Sequence, residues 1–71
     1  MRLLEQTSTI RSIAEKMAGA YNADAVKKIE PYAPGVWIIH LVRGDEERDF
    51  IVRAKDAKVL KSTKWGPEGS G

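Results

Sequence analysis

His40 is the only histidine in the sequence, and cysteine is absent. Because an imidazole changes charge near neutral pH, His40 is the first residue to consider for acid-base chemistry. Catalysis would also need a nucleophile or a carboxylate beside it, but the acidic residues fall elsewhere in the sequence and no Gly-x-Ser-x-Gly element presents a hydroxyl. We therefore predict that His40 is a structural or partly exposed strand residue and that the protein is not an enzyme.

Four acidic residues between positions 45 and 49 are candidate ligands for a hard cation: Asp45, Glu46, Glu47 and Asp49. A calcium loop needs a fixed ligand spacing and a closing glutamate, which this segment lacks. We interpret the segment as a solvated hairpin tip and predict no metal site. Gly19, Gly35 and Gly44 match neither the Walker nor the dinucleotide spacing, so we expect no cofactor.

Cationic residues concentrate late in the chain and an aromatic residue follows them; the candidate binding residues are Arg53, Lys55, Lys58, Lys61, Lys64 and Trp65. Strict alternation along a strand at 58–65 would give two faces: Lys58, Leu60, Ser62 and Lys64 on one, and Val59, Lys61, Thr63 and Trp65 on the other. This basic ribbon could bind an acidic protein, or it could bind phosphates while Trp65 or Trp37 stacks on an unpaired base. Its lysines could also serve only to protect an edge strand from aggregation.

The composition fits one small domain of 71 residues, of which 42% are hydrophobic and 31% are charged. The net charge of +2 does not by itself indicate a nucleic-acid partner. Residues 1–10 contain no apolar run typical of a signal peptide, and the apolar run at 36–42 is far shorter than the roughly 20 residues that span a bilayer. We expect a cytoplasmic protein with no membrane partner.

One amphipathic helix is predicted from an apolar stripe with helical spacing: Ile10, Ile13, Ala14, Met17, Ala18 and Tyr21. Its N-cap could be any of three consecutive hydroxyl residues at 7–9. Its C-terminal cap could be Gly19 or Asn22, and we favour an end near Asn22. We expect Ile13 and Met17 to pack against the strands that follow.

Three or four strands are predicted after the helix, at 26–32, 36–43, 48–55 and 58–65. Pro31 makes the first an edge strand or places a bulge in it, and the second is apolar enough to be central. In the third, Phe50 and Val52 should face the core. We therefore predict an α+β fold in which one N-terminal amphipathic helix packs on a three- to four-stranded antiparallel β-meander, with a single domain at 1–65 and a disordered tail at 66–71.

The segment 52–60 reads Val-Arg-Ala-Lys-Asp-Ala-Lys-Val-Leu, with Arg53 at its second position and Ala57 at its sixth. It resembles the strand-turn-strand signature of PepSY domains, Val-Asp-Ala-Lys-Thr-Gly-Lys-Val-Leu, in six of nine residue types. The order of the helix and strands is also similar over about residues 10–60. The resemblance implies a cystatin-like helix on an antiparallel sheet, and an inhibitory or protein-binding role.

Small size, the lack of a catalytic set and an open sheet edge favour a non-enzymatic protein-binding or inhibitory module that acts through its sheet face or edge. We predict an acidic protein as its partner. The alternative is a small nucleic-acid-binding protein that uses the basic ribbon with Trp65. An edge-strand dimer is also open, because the sequence determines neither the oligomeric state nor the identity of a partner.

Overall fold

The computed structural model describes the backbone of residues 3–67 and the side chains of residues 9–67. Helix α1 (Leu3–Ala20) is followed by five strands: β1 (Ala25–Ala33), β2 (Val36–Arg43), β3 (Glu46–Arg53), β4 (Lys58–Ser62) and β5 (Gly66–Pro67). The antiparallel sheet has the order β1-β2-β3-β4, and β5 also pairs with β3. The predicted α+β fold, one helix on an antiparallel meander, is confirmed. No helix among residues 3–67 has the length and apolar character needed to cross a membrane.

The helix packs on the sheet through the stripe that the sequence predicts. Ile10 and Ala14 are fully buried and Met17 is nearly so, whereas Ile13 is half-buried at the margin of the core. Packing of this stripe supplies the stability that an isolated helix of this length would lack.

Asn22 ends the helix in a left-handed conformation, with φ of 58°. The amide of Ala23 donates to the carbonyl of Ala18 at 2.8 Å, and the amide of Asn22 donates to the carbonyl of Gly19 at 3.3 Å. These two bonds form a Schellman motif, which satisfies carbonyls that the last helical turn leaves unpaired. Asn22, rather than Gly19, is therefore the left-handed capping residue.

The core lies between α1 and one face of the two central strands. Ile39 and Leu41 of β2 and Phe50 and Val52 of β3 are fully buried there. The alternate residues point away from the helix and form what we call the outer face: Val36, Ile38, His40, Val42, Glu47, Asp49, Ile51 and Arg53. Within residues 9–67 these side chains are only partly buried, because α1 covers the other side of the sheet.

Both edge strands are irregular. Strand β1 contains Pro31 and has register shifts at two places, as expected for an edge strand with a bulge. Strand β4 has a register shift at Leu60, since Val52 pairs with Val59 whereas Ile51 pairs with Lys61. The strict alternation predicted for 58–65 is therefore wrong, because the bulge places an extra residue between the two pairs.

The last strand is also shorter than predicted. Strand β4 ends at Ser62, and the chain then returns to β3 through β5, where Gly66 pairs with Glu47 and Pro67 with Glu46. These two residues were expected to belong to the tail, but they extend the sheet. The rest of the predicted tail, 68–71, lies outside the described residues.

Replacing Ala57 with glycine is expected to stabilise the protein. Ala57 has φ of 58°, in the turn between β3 and β4. Because its Cβ is strained in the left-handed region, Ala57→Gly should raise the free energy of unfolding by about 0.5–1 kcal/mol, after the greater freedom of glycine in the unfolded chain is subtracted. Urea denaturation measures the change. The control is Ala54→Gly in the same turn, where φ is not positive and a loss is expected; a loss in both variants would contradict the left-handed assignment.

Candidate functional site

The six residues of the predicted basic ribbon do not form one continuous surface. Lys58 lies opposite Arg53, and Lys61 lies opposite Ile51, so these two lysines share the outer face. Lys55 is exposed in the preceding turn, and Lys64 is exposed between β4 and β5.

Arg53 of this ribbon already has an anionic partner. Its Nε and Nη2 atoms donate to the two carboxylate oxygens of Asp56 at 3.0 and 2.7 Å. This paired bond lowers the pKa of Asp56 to about 2 and raises the pKa of Arg53. Arg53 is thus less available to a partner than Lys58 and Lys61.

Trp65 is placed differently from the sequence interpretation. Its side chain is half-buried and packs against the core, and the guanidinium of Arg43 lies 4.2 Å from the ring centroid. A cation over the ring face forms a favourable cation-π contact. A nucleic-acid base would have to displace Arg43 from that face before it could stack on it.

A cluster of polar side chains surrounds His40 on the outer face. Its Nδ1 atom lies 2.7 Å from Oδ1 of Asp49 and 3.3 Å from Oε2 of Glu47. The antiparallel register explains the proximity, because His40 stands directly opposite Asp49, and Glu47 is two residues away on the same face. We call His40, Glu47 and Asp49 the histidine cluster. Its position corrects the expectation that the acidic residues lie apart from His40.

Two residues of β1 flank the histidine cluster. The Nζ atom of Lys27 lies 2.9 Å from Oε1 of Glu47, so the other oxygen of that carboxylate is left to face His40. Oε1 of Glu30 lies 3.0 Å from Nε2 of His40, but in a direction that forms no hydrogen bond. Nε2 is therefore a buried nitrogen that lies close to the Glu30 carboxylate but forms no hydrogen bond with it.

The two carboxylates of the cluster have different acid-base properties. Hydrogen bonds from Lys27, and then those with Asp49 and His40, lower the pKa of Glu47 to about 2. Burial, together with the neighbouring Glu47, raises the pKa of Asp49. Ionised Glu47 stabilises the fold at pH values above its ordinary pKa of 4.5, and this contribution is lost as the pH falls toward 2. The raised pKa of Asp49 has the opposite effect, because ionisation of this carboxyl group as the pH rises lowers the free energy of unfolding.

The acidic segment is therefore not the solvated hairpin tip that the sequence suggested. The side chain of Glu47 is only 13% exposed, and Asp49 is 26% exposed. Both lie within β3, and only Gly44 and Asp45 form the turn.

A groove of about 240 Å³ adjoins the cluster on the outer face. It is lined by Ile38, His40, Asp49, Ile51, Lys61, Ser62 and Thr63. Thr63 fixes one wall, because its amide donates to the carbonyl of Asp49 at 3.0 Å and its hydroxyl accepts the amide of Asp49 at 2.9 Å. The groove therefore has an apolar floor, and Lys61 and two members of the histidine cluster, His40 and Asp49, lie along it.

The histidine cluster depends on the length of one turn, which sets the register between β2 and β3. A four-residue turn at 44–47 would place His40 opposite Ile51, whereas the observed turn at 44–45 places it opposite Asp49. The sequence does contain a signal for the shorter turn, because Gly-Asp is a favoured two-residue hairpin turn. Gly44 has φ of 57°, which suits such a turn.

No protein-family model matches the chain, and no curated protein or solved structure is significantly similar to it. The resemblance to PepSY domains stays a prediction. We therefore infer the function from the geometry of the outer face.

Proposed function

We propose that the protein is a small, non-enzymatic binding module that holds an acidic protein segment on its outer face. The observation that carries the proposal is an apolar groove beside exposed lysines, on the side of the sheet that α1 does not cover. The inhibitory or protein-binding role implied by the PepSY resemblance agrees with such a module.

The groove offers complementary contacts for an acidic segment with apolar side chains. Ile38 and Ile51 pair directly across β2 and β3, and both are half-buried on its floor. Lys61 stands opposite Ile51, and Lys58 follows on the same side of β4. Leu60, at the same edge, is 46% exposed and adds apolar surface. Burial of the isoleucines would supply affinity, and the lysines would select the acidic partner.

Irregular edges favour binding at the face over the addition of a strand. Pro31 and two register shifts interrupt β1, and a bulge with flanking lysines interrupts β4. Bulges, prolines and lysines are the devices by which sheet edges resist pairing with another chain. These features support a partner on the face, and they weigh against the edge-strand dimer.

A nucleic-acid partner has less support from the site. Stacking on a base would need a free aromatic face, but Arg43 lies over the ring of Trp65, and Trp37 packs against the core. The lysines are divided between the outer face, a turn and the segment after β4. The acidic protein segment is therefore the partner that we propose.

Charge reversal at Lys58 and Lys61 is expected to weaken binding. The probe is a library of acidic peptides containing leucine, titrated into the ¹⁵N-labelled chain; shifts should centre on the amides of Ile38, Ile51 and Lys61. The Lys58→Glu/Lys61→Glu variant should bind roughly tenfold or more weakly, because each exposed ion pair contributes up to about 1 kcal/mol and the reversed charges repel the peptide. Its stability should change little, since both lysines are exposed.

Arg11→Glu/Lys16→Glu is the matched control, because it also reverses two exposed cationic residues, but on α1, in the other layer of the molecule. It should leave peptide binding unchanged. Equal losses in this control and in the Lys58→Glu/Lys61→Glu variant would show a nonspecific charge effect and contradict the proposal. Tighter binding of a single-stranded oligonucleotide, with a steep dependence on salt, would favour the nucleic-acid alternative instead.

A further inference from the structure

We infer that His40, Glu47 and Asp49 form a binding site for a divalent transition-metal ion such as zinc. Each residue offers one ligand atom, and the three atoms all lie within 4.8 Å of one another. Two of the separations are 2.7 and 3.3 Å. Ligand atoms around a tetrahedral zinc ion, with bonds of about 2.0–2.2 Å, stand roughly 3.3–3.5 Å apart. Only small side-chain movements are needed to admit the ion.

The backbone already holds the three ligands in place. His40 and Asp49 are paired on adjacent central strands, and Thr63 bonds the backbone of Asp49 on both its amide and its carbonyl. Ligands on paired strands lose little freedom when they bind an ion, which favours affinity.

The surroundings of His40 supply an independent observation. A histidine that binds a metal through one ring nitrogen almost always presents its other N–H to a carboxylate, a carbonyl or water. Here Nδ1 faces the two carboxylates of the cluster, while Nε2 is buried, has no hydrogen bond and lies 3.0 Å from Glu30. A slight rotation of the ring during metal binding would align Nε2 with that carboxylate. Lys27 holds Oε1 of Glu47 and leaves Oε2 for the ion.

A bound dication would also remove the competition between the two carboxylates for the single N–H group of His40. One N–H group at Nδ1 faces two carboxylate oxygens, at 2.7 and 3.3 Å, and cannot be fully shared by both. An ion with two positive charges would balance both carboxylates while the imidazole stays neutral. The site would then be neutral in total, which suits a partly buried position.

The ligand set indicates the class of ion. One imidazole nitrogen and two carboxylate oxygens suit zinc or manganese, whereas calcium and magnesium prefer oxygen ligands only. The groove reaches His40 and Asp49, so water can complete the coordination from that side.

Calorimetric titration of the full chain with zinc chloride at neutral pH tests the inference. We expect one zinc site per chain. The affinity for zinc should fall at least tenfold in His40→Gln and in Asp49→Asn. It should fall about tenfold in Glu30→Gln, which removes the carboxylate beside Nε2. Glu46→Gln is the matched control: Glu46 precedes Glu47 but faces the other side of β3, and it pairs with Arg43 at 3.5 Å. This variant should bind zinc like the unmodified chain.

Spectra of the unmodified chain provide a test that does not depend on any variant folding. Because His40 is the only histidine, its imidazole proton signals are unique, and they should shift in proportion to the zinc bound. Absence of saturable binding, or zinc binding that leaves these signals unmoved or is equal in a folded His40→Gln variant, would overturn the inference. The peptide experiment uses metal-free protein, so the two proposals can fail separately.

Discussion

Replacing Phe50 with alanine is expected to lower the free energy of unfolding by about 3–5 kcal/mol. The ring is fully buried between β3 and α1, and its centroid lies 4.8 Å from that of Tyr21. Its loss removes apolar contacts and leaves a cavity in a core built from few large side chains. Because a domain of this size has a total stability of only about 4–10 kcal/mol, the variant should be largely unfolded near body temperature. Circular dichroism during thermal unfolding measures the effect.

Ile51→Ala provides the control for this prediction. Ile51 is adjacent in the chain but lies half-buried on the outer face, so it should cost about 1 kcal/mol. Similar losses in the two variants would show that the inner and outer faces of β3 have been assigned incorrectly.

Replacing Ile10 with alanine should have the second largest effect, a loss of about 2–5 kcal/mol. Ile10 is fully buried and joins α1 to the core. Urea denaturation of Ile10→Ala and Ile13→Ala gives a matched pair, since both truncate isoleucine on the same helix. Ile13 is only half-buried, so its truncation should cost less. The reverse order would mean that the helix is rotated relative to the sheet from the orientation described.

Periodicity in the sequence predicts the parts of the fold that depend on one buried face. The helical stripe around Ala14 and Met17 repeats with the period of an α-helix, and the alternate set that contains Phe50 and Val52 is apolar, whereas the other set includes the charged Asp49 and Arg53. A helix or strand placed with the wrong face inward would bury charged side chains. These patterns therefore determine which face of each element packs against the core.

The bulge at Leu60 and the place of Trp65 could not be derived in the same way. Val59 and Leu60 are consecutive apolar residues, so either can face the core, and no glycine or proline marks the extra residue. Once the bulge reverses the alternation, every later residue changes face. The contact of Trp65 with Arg43 also depends on the pairing of β5 with the start of β3. A strand of only two residues has no sequence pattern from which this pairing could be predicted. The histidine cluster likewise depends on register, which a short turn determines.

The order of the sheet has a consequence for how the protein assembles during synthesis. Strands β1 to β4 each pair with the strand next to them in the chain, across turns of two to four residues. Closing such short loops costs little entropy, so each hairpin can form as soon as its second strand is available. The helix precedes the strands in the chain, and Ile10 and Met17 lack most of their core partners until β2 and β3 have been made. Its apolar stripe is therefore exposed early in synthesis and is the segment most open to capture by a chaperone.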